Sequence, residues 1–157
     1  MKIKVLVIGK TKASYLVQGE EEYKKRLSFY TTLEWVILSD VSSKGMSKES
    51  IKEKESQLFL KHIKTDDVVW LLDEKGSTFS SEAWANYIQK QLNAGVKNCV
   101  ILIGGAFGFH QDIYNRAQAK ISFSAMTFSH EMIRLFLLEQ LYRGFTILKG
   151  ESYHHSD

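Results

Sequence analysis

The sequence predicts a single three-layer α/β domain on a mainly parallel sheet, and three observations carry that prediction. Short β-branched runs alternate with helix-period segments, several of the runs are apolar enough for strands covered on both faces, and no repeat or linker interrupts the 157 residues. A chain of this length holds one core. The domain is expected to span residues 1–157.

Ile3 to Ile8 reads as a strand closed by Gly9, and Tyr15 to Phe29 has helical spacing in Leu16, Tyr23 and Leu27. Leu33 to Leu38 is a second strand. A loop over Ser42 to Met46 leads to Ser47, the expected N-cap of a charged helix reaching about Ile63. Asp67 to Leu72 is an apolar strand ending at Asp73 and Glu74, followed by a turn over Gly76 to Ser80 and a helix capped by Ser81 that stops before Gly95. Asn98 to Ile103 is another apolar strand and runs into Gly104-Gly105-Ala106-Phe107-Gly108. A short helix over Gln111 to Gln118, a brief strand over Lys120 to Ser124 and a helix from Ser129 to about Leu148 complete the pattern.

The last helix is apolar around nearly its whole circumference, interrupted mainly by Glu131, Arg134, Glu139, Gln140 and Arg143. Such a helix is buried on more than one side. A second copy of the chain supplies the extra cover most simply, so a twofold homodimer is expected.

Composition excludes several classes. Lys and Arg number 21 against 18 Asp and Glu, and hydrophobic and charged fractions of 44% and 25% rule out wholesale disorder. Proline is absent, where average usage of ~5% would give about eight. Cys99 alone makes no internal disulfide, and with five histidines no metal cluster is indicated, so a reducing, cytoplasmic setting without a metal is expected. The N-terminal apolar run is too short for a signal peptide, and Val100 to Phe109 falls short of the roughly 20 residues that span a bilayer. Residues 1–64 carry 13 basic and 8 acidic groups, the remainder 8 and 10. That half either faces a polyanion or merely solvates a helix with lysines such as Lys48, Lys52 and Lys54.

In parallel sheets ligands bind beyond the carboxyl ends of the strands. Three of those ends stand out: Leu72–Gly76, Gly104–Phe109 and Ser124–Ser129, which converge on one pocket if their strands are neighbours. Gly9-Lys10-Thr11 is no phosphate loop, because position 4 is Lys4 where that loop needs glycine, and Ala106 breaks the dinucleotide spacing after Gly104. Three glycines in five residues suit either close approach to a ligand or a plain tight turn. Ser122 to Ser129, rich in small hydroxyl residues, suits either an adenosine-like group or a helix cap. Arg143 in an apolar helix needs an anion, which is either Glu139 at i,i+4 spacing or a phosphate. Tyr153 and His154 follow just past the helix end.

Taken together, Leu72-Asp73-Glu74-Lys75-Gly76 with Ser80-Ser81-Glu82, Ile103 to Gly108, Ile121 to His130, Leu138 to Arg143, Lys149-Gly150-Glu151 and Tyr153-His154 resemble the ribosomal RNA large subunit methyltransferase H family, over essentially the whole chain. The resemblance implies a homodimeric SPOUT methyltransferase with a C-terminal trefoil knot. It implies that S-adenosylmethionine sits among Leu72, Asp73, Gly104, Gly105, Phe123, Ser124, Ala125, Met126, Thr127, Phe128 and Ser129. The implied reaction is methylation at N3 of a pseudouridine in 23S ribosomal RNA, on the assembled ribosome. Arg143, Tyr153 and His154 form the implied catalytic set, with the tail of one subunit near the cofactor of the other.

The chain departs from the family pattern at Ser129, where a proline is expected, and at Phe107, where a polar residue is expected; His155 is extra. Two rivals remain at this stage: a ribosome- or RNA-binding factor of the same fold without chemistry, and a small-nucleotide-binding α/β protein. The second leaves the tail unexplained.

Overall fold

The computed structural model describes residues 1–154, in which strands and helices alternate strictly. They are β1 (Lys2–Ile8), α1 (Ser14–Leu27), β2 (Thr32–Leu38), α2 (Lys48–Leu60), β3 (Val68–Thr78), α3 (Ser81–Asn93), β4 (Asn98–Ile103), α4 (Gln111–Arg116), β5 (Ala119–Ser122) and α5 (Met132–Leu148). The sheet runs β2-β1-β4-β3-β5 and every neighbouring pair is parallel. The three strands with unusual carboxyl ends, β4, β3 and β5, are therefore adjacent, as the convergence argument required.

Alternation along each strand sends side chains to two faces. Ile3, Val5 and Val7 of β1 join Trp70, Ile101 and Ile121 on the face covered by α1, α3 and α5, whereas Leu6, Val69, Leu71, Val100 and Leu102 meet Phe59 of α2 and Ile113 of α4 on the other. Three layers result.

The apolar circumference of α5 has an explanation within the chain: the helix packs against both α1 and α3 as well as the sheet. What remains uncovered is narrower than the sequence suggested. Phe136 on α5 and Phe128 before it, their ring centroids 4.9 Å apart, are each 37% exposed. Arg134 is 1% exposed; its guanidinium donates to the carbonyls of Ile8 (2.6 Å) and Gly9 (2.9 Å) and to Thr11 Oγ1 (3.1 Å). This arginine fixes the first turn of α5 to the carboxyl end of β1, a contact across more than 120 residues.

Several boundaries shift. Ser80, not Ser81, caps α3: its Oγ accepts from the Ala83 N–H at 3.1 Å, and Ser81 is the first helical residue. α5 begins at Met132 rather than Ser129, whose Oγ accepts from the Met132 N–H at 3.1 Å. The expected turn over Gly76 to Ser80 is largely strand. Leu72 and Ser77 both stand opposite Ile121, so residues 73–76 are expelled as a bulge and β3 resumes to Thr78. A Cβ at Gly76 would lie 2.6 Å from the backbone of Lys120 and Ile121, so only glycine lets the strands approach here.

Candidate active site

A cleft of about 960 Å³ opens at the carboxyl ends of β3, β4 and β5. Of the residues assigned to a cofactor from sequence, Leu72, Asp73, Gly104, Gly105, Phe123, Ser124, Met126, Thr127, Phe128 and Ser129 line it; Ala125 does not. The β3 bulge forms one wall. Asp73 Oδ2 accepts from the Tyr114 hydroxyl at 2.5 Å and Oδ1 from the Lys75 N–H at 2.8 Å, so the carboxylate is held in place. Burial, reinforced by Asp73, raises the Tyr114 phenol to about 12 and keeps it a donor. Across the cleft the Thr127 hydroxyl donates to Glu74 Oε2 at 2.9 Å, joining the bulge to the loop after β5. Within that loop Ser124 Oγ accepts from the Met126 N–H at 2.9 Å, and the Ser122 hydroxyl donates to the Ser124 carbonyl at 2.8 Å.

The glycines after β4 serve distinct needs. Gly108 takes a positive φ of 76°, a turn requirement. Gly105 does not: a Cβ there would overlap the carboxylate of Glu55, a buried residue of α2 that sequence reasoning did not single out. Burial and neighbouring Asp40 push the Glu55 carboxyl above the usual carboxylate range, opposed by a hydrogen bond from the Gly105 N–H. Phe107 is 42% exposed and lies beneath Lys48, whose Nζ is 5.5 Å from the ring centroid.

Arg143, Tyr153 and His154 come together, but away from this cleft, whose lining includes none of the three. The Arg143 guanidinium donates to Glu139 Oε1, its Nε at 3.0 Å, and stacks over the Tyr153 ring at 4.9 Å; the ion pair keeps it firmly protonated. Of the two anions weighed for Arg143, the i,i+4 partner Glu139 is present. The Tyr153 hydroxyl donates to Glu139 Oε1 at 3.1 Å and lies 3.0 Å from the Tyr23 hydroxyl, and burial holds its phenol well above the ordinary range. Arg143 Nη1 lies 3.4 Å from His154 Nδ1, and His154 Nε2 lies 3.2 Å from Glu82 Oε1. A cation on one side and a carboxylate on the other select the Nε2–H tautomer and leave the lone pair on Nδ1. The tail is docked on α1, α3 and α5, further secured by Tyr30 donating to Glu151. Tyr23 and Glu82 are supporting residues to which the sequence reading assigned no role, whereas Glu139 was already weighed as the partner of Arg143. His155 lies outside the described residues.

Between the two clusters is a smaller hollow of about 280 Å³, bounded by Phe79, Trp84, Phe123, Phe128, Phe136 and Gln140 among others. It shares Phe123 and Phe128 with the cleft. No group of three or more His, Cys, Asp or Glu side chains capable of holding a metal ion occurs among the described residues. No helix there is long and apolar enough to cross a membrane.

An all-parallel α/β domain whose glycine turn and hydroxyl-rich loop meet over adjacent strand ends is an architecture suited to a nucleotide-like ligand. The chain matches the family model described as "Predicted SPOUT methyltransferase" over residues 1–154, and it belongs to that family. Among its relatives, proteins named "Ribosomal RNA large subunit methyltransferase H" from Flavobacterium psychrophilum and Flavobacterium johnsoniae are 50% and 49% identical over 156 residues, covering 99% of each chain. The protein of that name from Cytophaga hutchinsonii is 44% identical over 155 residues, 99% of this chain and all of the relative. The resemblance read from the motifs is family membership, and the chain is a methyltransferase of this class.

Proposed function

We propose that this chain methylates N3 of a pseudouridine in 23S ribosomal RNA, using S-adenosylmethionine and acting on the assembled ribosome as a cytoplasmic homodimer. The observation that carries the reading is the cleft: in a member of a methyltransferase family, all but one of the residues assigned to the methyl donor from sequence line one cavity. Its chemistry fits that donor. Leu72, Ile103 and Phe123 offer apolar surface for a purine, Asp73 has acceptors for sugar hydroxyls, and the backbone at Gly104 and Gly105 is bare of side chains.

When bound, S-adenosylmethionine supplies a methyl group on a sulfonium, already a good leaving group. The residues of the chain therefore contribute chiefly alignment and control of the N3 proton. Arg143 is assigned to a phosphate or the base edge, Tyr153 to stacking on or hydrogen bonding to the base, and His154 to the proton. While Arg143 faces His154 Nδ1, that lone pair is occupied. Engagement of Arg143 by RNA would free Nδ1 to accept the N3 proton, with Glu82 at Nε2 stabilising the imidazolium that forms. The Tyr153 phenol, kept neutral, acts as a donor and a stacking surface, not as a base.

The separation of the tail cluster from the cleft supports a dimeric site, in which the tail of one subunit serves the cleft of its partner. The exposed Phe128 and Phe136 beside the smaller hollow give that contact an apolar surface. The C-terminal trefoil knot implied by the family resemblance belongs to the same proposal. The same separation is what a binding factor without chemistry would show if the chain acted alone. Calorimetric titration with S-adenosylmethionine, followed by single-turnover methylation of ribosomes lacking the modification, distinguishes the two. Saturable binding with transfer is expected; saturable binding without transfer to ribosomes supports the binding factor, and no binding removes the enzyme reading.

A further inference from the structure

Glu55 is a buried carboxylate that the tail cluster and the cleft lining leave unused. It is 7% exposed in α2. Among the described residues it has no ion-pair partner: Lys52 engages Glu49 instead, and the charge that bears on Glu55 is another acid, Asp40. Its carboxylate abuts Gly105, the residue whose missing side chain makes room for it, and the backbone there favours the charged form. Gly105 also lines the cleft. A desolvated acidic group therefore stands one residue behind the cleft wall, with no cation to neutralise it.

The other charged groups at the cleft, Lys48, Glu49, Lys52, Asp73, Glu74 and Lys75, are all partly or fully exposed. Charges in contact with water are screened within about 8–10 Å, whereas a buried one is screened far less. The methyl donor carries a net positive charge through its sulfonium, and the thioether left after transfer, S-adenosylhomocysteine, is net neutral. Resting on the reading that this cleft takes S-adenosylmethionine, we propose that Glu55 sets the charge preference of the cleft, favouring the cationic donor over its neutral product through the Gly105 wall. Product release and donor reloading would follow from one fixed charge.

The test is calorimetric affinity of both compounds for the full-length wild-type chain and for Glu55→Gln, at mildly alkaline pH. Gln keeps an accepting carbonyl for Gly105 and removes a buried charge, so it should melt at or above the wild-type temperature; Glu55→Met replaces it if it does not fold. The expected result is a loss of about tenfold in donor affinity, with product affinity within about twofold of wild type, and retention of the donor preference in Glu55→Asp. Equal losses for both compounds would reduce Glu55 to a prop for Gly105 and overturn the inference, as would unchanged affinities. Binding of neither compound to the wild-type chain would instead overturn the methyl-donor reading beneath it.

Discussion

Tyr153 is the residue on which most of the tail converges: Tyr23, Glu139 and Arg143 all touch it, and its ring packs against Tyr142 at 4.7 Å. Removing its hydroxyl or the His154 ring should therefore act on transfer more than on cofactor binding. His154→Ala is expected to slow single-turnover methylation by about 10²-fold or more, and Tyr153→Phe by less, with calorimetric affinity for S-adenosylmethionine within about twofold of wild type. Unaltered rates in both variants would take the tail out of catalysis. At this scale the sequence was legible where partners are local. The Arg143–Glu139 pair follows from helical spacing, and Tyr153 and His154 stood out in the family's tail motif. Tyr23, 130 positions from Tyr153, and Glu55, pressed against a glycine 50 residues on, carry no local signal; only the sheet order brings them there.

Two elements hold the geometry of the cleft. The β3 bulge depends on close backbone approach at Gly76, and a Cβ there meets main-chain atoms that cannot yield. Gly76→Ala should cost about 2–4 kcal/mol, visible as a lower urea midpoint, together with weaker cofactor binding because Asp73 and Glu74 ride on the bulge. The start of α5 depends on Arg134. Arg134→Met would leave the carbonyls of Ile8 and Gly9 without their buried donor and should destabilise by about 3 kcal/mol; an unchanged midpoint would remove Arg134 as the anchor. Nearby, the N–H groups of Lys12 and Ala13 depress the Glu131 carboxyl below its ordinary value of 4.5. A group held lower in the folded than in the unfolded state stabilises above the unfolded value and loses that contribution as pH falls through the folded one. Stability should therefore decline on acidification below about pH 4.5, and Glu131→Gln should flatten that decline. Strand and helix order was readable from periodicity. The extension of β3 to Thr78 was not, because its hydrogen-bond partner is β5, more than 40 residues later, and Gly76-Ser77-Thr78 by themselves have turn composition.

For the whole molecule, a site that unites the Arg143, Tyr153 and His154 cluster with the cleft, as proposed, would need the cleft of a second chain. The apolar circumference of α5 argued for it from sequence, yet α1 and α3 account for most of that surface; the exposed Phe128 and Phe136 and the distant tail are the stronger reasons. Sedimentation at micromolar concentration should show twice the 18.1 kDa chain mass. Mixing a His154→Ala chain with one whose cleft is blocked by Gly105→Leu should restore part of the activity that each lacks alone, as sites shared between subunits do. A lone monomer, or no restoration in a proven mixed dimer, would contradict the shared site. Residues 1–64 carry a modest excess of positive charge, so affinity for free RNA should be weak and strongly salt-dependent compared with affinity for assembled ribosomes. Absence of proline leaves Ser129, capping Met132 through its hydroxyl, to set the end of the loop after β5 by hydrogen bonding instead of by a restricted backbone. The central claim is the reaction itself, and mass spectrometry of 23S ribosomal RNA from cells with and without this protein tests it most directly. Loss of one methyl group from a pseudouridine-containing fragment, restored by the wild-type chain but not by His154→Ala, is the predicted result; an identical modification pattern in both cells would contradict it.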